Sequence, residues 1–286
     1  MTTPRLTDRA ALSRARSRAR ATQGGMADFL HRMMADEVEE RLQLVNKTFT
    51  DTAVISGFPA LWSELRPDAK QVHDEETLGL DVAAHDLVIH AMALHWADDP
   101  VGQLAQARHA LRPDGFFLGF GFGGETLTEL RQVLAMAETE VMGGLSPRVA
   151  PMGEIRDLGG LLQRAGLALP VVDSLPLTVT YETMFHLMRD LRAMGEVNAL
   201  ANRHKAPVSR EFFLKAAEEY ARQFGTEDGR IRATFEILVM TGWAPDASQP
   251  QPLRPGSATT RLADALGAKE IGLNDPAGQG RIADED

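Results

Sequence analysis

One stretch limits what this chain can fold into more than any other: residues 86–124, DLVIHAMALHWADDPVGQLAQARHALRPDGFFLGFGFGG. Asp86 to Ala91 is a short apolar and β-branched run, the pattern of a parallel strand buried on both faces. His95, Trp96, Ala97, Asp98, Asp99 and Pro100 stop that strand and cap a helix, with acidic residues first and Pro in the first turn. Val101, Leu104, Ala107, Ala110 and Leu111 then recur at helical spacing. Arg112-Pro113-Asp114-Gly115 predicts a turn in which Pro sets φ and Gly takes the positive-φ position. Phe116 to Phe122 is a second apolar strand, closed by Gly123-Gly124. Strand, loop, helix, turn and strand make one right-handed βαβ unit, so the chain is α/β with a mostly parallel sheet.

The flanking sequence must build on that sheet. Upstream, residues 26–45 carry Phe29, Leu30, Met33, Met34, Val38, Leu42 and Val45 on one helical face. Thr52 to Phe58 predicts a strand ending in one glycine, Gly57, and Pro59 opens a short helix. Lys70 to Glu76 is a weak strand with an acidic end. Residues 59–85 leave room for one helix, one short strand and a return, since a βαβ crossover alone takes at least ~10–12 residues. The sheet is therefore expected to lack one βα unit or to carry it shortened. Downstream, helices are predicted over 125–142, 154–165 (closed by Gly166), 182–200 and 208–224, with strands at 177–181 and 234–243. The division expected is a basic arm over 1–25, a main domain over 26–245 with a helical insertion around 182–224, and a largely irregular tail over 246–286 with a helical turn at 260–266.

Composition removes several function classes. A net charge of −10 argues against general nucleic-acid affinity. The absence of cysteine excludes disulfides, thiolate zinc sites and a Cys nucleophile, and it fits a cytoplasmic protein. No run approaches the ~18 apolar residues of a membrane span. Arg5, Arg9, Arg14, Arg16, Arg18 and Arg20 stand apart within the first twenty residues. They suit a solvated helix face, an arm for a partner or for acidic lipid, or an organelle-targeting segment.

The run from Asp86 into the helix after Gly124 resembles the second half of a class I S-adenosylmethionine-dependent methyltransferase. More narrowly, the chain resembles the mitochondrial and alphaproteobacterial assembly-factor family of respiratory complex I, described both as a methyltransferase and as an arginine hydroxylase. The residues that carry this are LHW at 94–96, LRPDG at 111–115, GGETLTELR at 123–131, GGLSPRVAP at 143–151, DLGGLLQRAG at 157–166, MRDLRAMGEVNA at 188–199, ATFEILVMTGW at 233–243 and PGSA at 255–258. LRPDG is shared by many methyltransferases, whereas the GE-x-N segment, the GW and PGSA are more specific. The malonyl-carrier-protein O-methyltransferase of biotin synthesis is a more distant look-alike. One departure stands out. The family's D-x-G-x-G segment is here Val54-Ile55-Ser56-Gly57-Phe58-Pro59, without the acid or the later glycines.

Ligands of open α/β sheets bind beyond the carboxyl ends of the strands, where the strand order reverses. Carried over residue by residue, the resemblance puts the S-adenosylmethionine edge at Ser56 and Gly57, at Asp74 and Glu75, and at His90, Ala91 and Met92. Asp74 follows Gly57 by 17 residues, close to the ~20 at which a carboxylate meets a ribose in such folds, although an Asp-Glu-Glu run is also an ordinary exposed turn. His95 and Trp96 are the candidate catalytic residues and pocket wall. Trp96 suits cation–π contact with a sulfonium or simple anchoring of the next helix, and each His suits proton transfer or a structural hydrogen bond. Methyl transfer asks mainly for positioning. Hydroxylation asks for an oxygen-activating centre, for which His95 and Asp98 are the nearest pair.

The resemblance implies action on a protein substrate, a complex I subunit, in the bacterial cytoplasm, with peripheral contact to the inner membrane through the Arg-rich arm. It leaves three readings: methyl transfer, arginine hydroxylation, and a chaperone that has lost its cofactor. In the last, the arm and the methionine-rich helix would do the binding, although core packing explains those methionines equally well.

Overall fold

The computed structural model describes residues 5–250, 260, 264, 266 and 267. The chain divides into two units, Met1–Ala247 and Ser248–Asp286. In the second, the Gly267 N–H bonds to the Asp264 carbonyl. PGSA and most of the turn expected at 260–266 fall outside the described residues.

The first unit runs α1 (Arg9–Arg20), α2 (Phe29–Leu44), β1 (Thr52–Ser56), α3 (Pro59–Leu65), β2 (Lys70–His73), β3 (His85–Ala91), a 3₁₀ turn (Leu94–Trp96), α4 (Pro100–Ala110), β4 (Leu111–Phe122), α5 (Thr128–Met142), α6 (Ile155–Arg164), β5 (Ala168–Tyr181), α7 (Met184–Met194), α8 (Arg210–Phe224) and β6 (Ile231–Trp243). The sheet order is β2-β1-β3-β4-β6-β5. The first four strands are parallel, and β6 and β5 join antiparallel. The strand order reverses between β1 and β3.

Alternation along the strands sorts the core into two layers, because successive side chains point to opposite faces. Val54, Leu87, Ile89, Leu118, Phe120, Phe235 and Ile237 pack under α2, α5, α7 and α8. Ala53, Ile55, Val88, Phe117, Leu238 and Met240 pack under α4 and α6. Helices therefore cover both faces, as a parallel sheet requires. The register brings Ser56, His73, Ala91 and Phe120 to one level at the carboxyl edge.

Segment 59–85 holds one helix and one four-residue strand, so the shortened sheet is borne out. The weak strand does form, as Lys70–His73 paired with β1, because the neighbouring strand supplies the ladder. Three expectations need correction. The strand predicted at 177–181 begins at Ala168, since long antiparallel pairing with β6 carries residues whose own alternation is broken by Pro170 and Pro176. The helix predicted over 182–200 stops at Met194, where Gly195 takes φ +81° and ends it in the left-handed form. In the 112–115 turn it is Asp114 that takes positive φ, +58°, a conformation short polar side chains tolerate. Gly115 is needed instead for closeness, because a Cβ there would lie 2.9 Å from the Arg112 carbonyl oxygen.

Candidate functional site

At the end of β1, Ser56 is buried and its Oγ accepts the Phe58 N–H at 3.0 Å, which closes the corner into α3. Gly57 follows with ordinary φ. What it supplies is space, and that space holds the guanidinium of Arg16 from α1: a Cβ on Gly57 would lie 2.6 Å from Arg16 Nε. The other side of the guanidinium meets Asp74, just past β2. Arg16 Nη1 and Nη2 donate to the two carboxylate oxygens at 2.7 and 3.0 Å, with side chains only 8% and 3% exposed. Arg9 adds a longer contact to the carboxylate, 3.4 Å, and donates to the Asp74 carbonyl at 2.6 Å. Burial pushes the Asp74 carboxyl up, but Arg16 and then Arg9 outweigh it and hold it below its usual range. Glu75 is different: its side chain is 70% exposed and, among the described residues, pairs with Arg9 at 3.8 Å.

At the end of β3, His90 is fully buried and pairs through Nε2 with Gln103 Oε1 of α4 at 2.9 Å. Gln103 Nε2 donates to the Glu75 carbonyl at 3.0 Å, so the network assigns the His90 proton to Nε2. Burial keeps His90 neutral by lowering its pKa. Ala91 is core, and Met92 turns the chain with φ +52°, a strained value for a long side chain.

The next three residues open a second region. His95 Nε2 and Trp96 Nε1 both meet Glu196 Oε2, at 3.2 and 2.8 Å. Glu196 is the first residue after Gly195, so the turn that ends α7 delivers this carboxylate to the strand edge. Burial pushes its pKa up, while the His95 ring, Arg16 and the Trp96 N–H pull it down, and the net direction is down. Beside it lies a cavity of about 250 Å³ walled by Trp96, Phe122, Leu130, Phe212, Phe213 and Phe235, with Glu196, Arg148, Arg192, Asn198 and Thr126 as its polar members. Arg148 lies 4.5 Å over the Phe212 ring and pairs with buried Glu138 at 2.7 Å.

The structure thus brings Gly57 with Asp74, and His95 with Trp96, into two adjoining groups. It leaves Glu75 outside and sets His90 and Ala91 beneath, in the core. Asp98 does not partner His95. It accepts the backbone N–H groups of Leu6 and Thr7, both at 2.8 Å, and so ties down the N-terminal segment. Among the described residues no three His, Asp or Glu side chains converge as metal ligands. Arg16, Gln103 and Glu196 are members of these networks that the sequence reading missed. Arg16 had a signal, since Leu12, Ala15, Arg16 and Ala19 form the i, i+3, i+4, i+7 stripe of a buried face, and all four are buried. Glu196 was hidden inside a helix drawn six residues too long.

A parallel sheet that reverses between β1 and β3, lacks its outermost unit and ends in an antiparallel pair defines a class I methyltransferase-like α/β protein. Comparison with known proteins takes this further. The chain is 43% identical over 215 residues to the rat protein named arginine-hydroxylase NDUFAF5, mitochondrial, a match covering 75% of this chain and 61% of that one. The zebrafish protein of the same name is 44% identical over 191 residues, covering 67% and 59%. The malonyl-[acyl-carrier protein] O-methyltransferase of Laribacter hongkongensis is 33% identical over 183 residues, covering 64% and 59%. Among solved structures, the YcgJ protein of Bacillus subtilis is 12% identical, with a TM-score of 0.46, covering 73% of this chain and 98% of that one. No protein-family model matches the chain. The chain is a homologue of the NDUFAF5 proteins, and it spans about 61% of the rat protein's length.

Proposed function

We propose that this chain is a methyltransferase-like factor in the assembly of respiratory complex I, and that it takes one arginine side chain of a complex I subunit into the cavity beside Glu196. The observation that carries this is the Glu196 carboxylate, kept ionised and fixed by Trp96 and His95 at the wall of an aromatic cavity. Its two side-chain hydrogen bonds both fall on Oε2. A guanidinium entering the cavity would pair with the carboxylate and lie against aromatic faces, two interactions that strengthen when water is excluded. Glu196 and Trp96 bind, and His95 holds Glu196 in position.

The modification that follows is proposed to be the hydroxylation named for the NDUFAF5 relatives, in which one atom of dioxygen enters the arginine and the other leaves as water with two electrons from an external reductant; the activating centre would have to come from outside the described residues, none of which converge as metal ligands. Methyl transfer, the second reading, is favoured by the acid position at the end of β2 and by the O-methyltransferase relatives. It fits the strand edge poorly, because Arg16 already engages both Asp74 oxygens and fills the space over Gly57. We place the activity in the cytoplasm at the inner membrane, where exposed Arg14, Arg18 and Arg20 remain available for peripheral contact. No helix among the described residues is long and apolar enough to cross a membrane.

Two measurements test the proposal. Calorimetric titration with an arginine-amide peptide should show saturable binding that Glu196→Gln weakens at least ten-fold; equal binding by both proteins overturns the assignment of the cavity. Mass spectrometry of complex I from cells with and without the gene should show loss of ~16 Da on one arginine. Loss of ~14 Da would indicate methylation, and an unchanged map would remove the modifying role.

A further inference from the structure

We infer that Arg16 is the built-in occupant of the crevice that this class of sheet offers to an adenosyl cofactor, so that docking of α1 and binding of S-adenosylmethionine exclude one another. The inference rests on Gly57 and Asp74 and does not depend on what the aromatic cavity binds.

Three observations converge. The crevice at the reversal point of an open α/β sheet is bounded by the glycine corner after the first strand and by an acid after the second. Here those are Gly57 and Asp74, and the Arg16 guanidinium lies between them, donating bidentately to the acid as a pair of vicinal hydroxyls would. The corner itself has lost the further glycines that let backbone approach a bound nucleoside, and Phe58 and Pro59 follow directly.

The helix that carries Arg16 is also held at its start. Thr7 Oγ1 donates to the Trp96 carbonyl at 3.0 Å, the Asp8 N–H donates to the Ala199 carbonyl at 2.7 Å, and Asp8 pairs with Arg203 at 2.9 Å. Gly195 gives the helix room, since a Cβ there would come within 3.4 Å of Arg16 Cα. Arg16 Nε is buried without a hydrogen-bond partner among the described residues, so the guanidinium is not there to satisfy itself fully. Its fork serves Asp74, which would otherwise be a buried carboxylate with only the longer Arg9 contact.

The full chain, its Arg16→Ala variant and its Arg16→Gln variant are titrated with S-adenosylmethionine by calorimetry, and trypsin cleavage after Arg14 and Arg18 is followed in parallel. Both variants vacate the space over Gly57, and Gln retains a donor for Asp74 should Ala prevent folding. The expected result is that the folded variants bind at least ten-fold more tightly than the wild type. If the wild type binds measurably, cleavage within α1 must accelerate as ligand is added. The inference is overturned if the wild type binds with α1 equally protected, or if folded variants bind no more tightly than the wild type.

Discussion

His31 is buried with Nδ1 accepting the Trp62 indole N–H at 3.1 Å, so the ring must stay neutral to keep that bond. Burial is the chief cause that lowers its pKa to about 4. The unfolded chain takes up this proton near pH 6.5 and the folded chain does not, so stability is complete above pH 6.5 and falls as the pH drops toward 4. The loss amounts to about 3 kcal/mol across that window. Guanidinium unfolding at several pH values should show this slope in the wild type, and a shallower one by that amount in His31→Gln. Parallel curves for the two proteins would mean that His31 is protonated in the fold. Glu196 acts at the same scale in the opposite sense: it is a group kept charged, and its neutral isostere should lose guanidinium affinity while keeping the cavity's shape.

At the scale of elements, the end of α7 decides the site. Gly195 takes φ +81°, and a Cβ there would also meet Phe58 Cζ at 2.9 Å. Gly195→Ala should cost about 1–3 kcal/mol of stability. It should also shift the fluorescence of Trp96, whose indole N–H depends on Glu196 staying where the turn puts it. Gly160, inside α6, is the contrast: a Cβ there meets nothing within 4 Å. Gly160→Ala should stabilise by about 0.4–1 kcal/mol, because it removes freedom only from the unfolded chain. Denaturant midpoints for the two variants should move in opposite directions, and a shared direction would refute the account of both glycines.

Across the whole molecule, the arginine-rich start belongs to the core as much as to the surface. Leu12 packs with Trp96, Ala150, Ala199 and Leu200, and Ala19 with Phe58 and Leu61. These contacts join the first twenty residues to the 3₁₀ turn, α3 and the loop after α7. Removing residues 1–25 strips that apolar cover and leaves Asp74 without its bidentate partner. A loss of several kcal/mol at ~2–4 °C each should lower the melting temperature by roughly 10 °C. An unchanged melting curve would show the arm to be no part of the cooperative fold.

How much of this was legible in the chain itself depends on the range of the forces involved. Periodicity and turn chemistry are local, so the βαβ unit of 86–124, the amphipathic helices and the missing sheet unit followed from residue order and spacing alone. The methyltransferase-like class was legible only as a resemblance, carried by LRPDG and the segments around it. The pairing of β5 along its full length was not legible, because Pro170 and Pro176 interrupt its pattern and only β6 holds it extended. Nor was the fate of Arg16 and Glu196. Arg16 is one charge in an arginine-rich run and Glu196 a lone charge after a glycine, and only when α1 folds across the strand ends does one arginine lose water and find Asp74. Sequence determined which elements form and which edge of the sheet carries the candidate site. Tertiary structure alone decided which charges are buried there, because burying a charge needs a partner that the chain brings from 58 residues away.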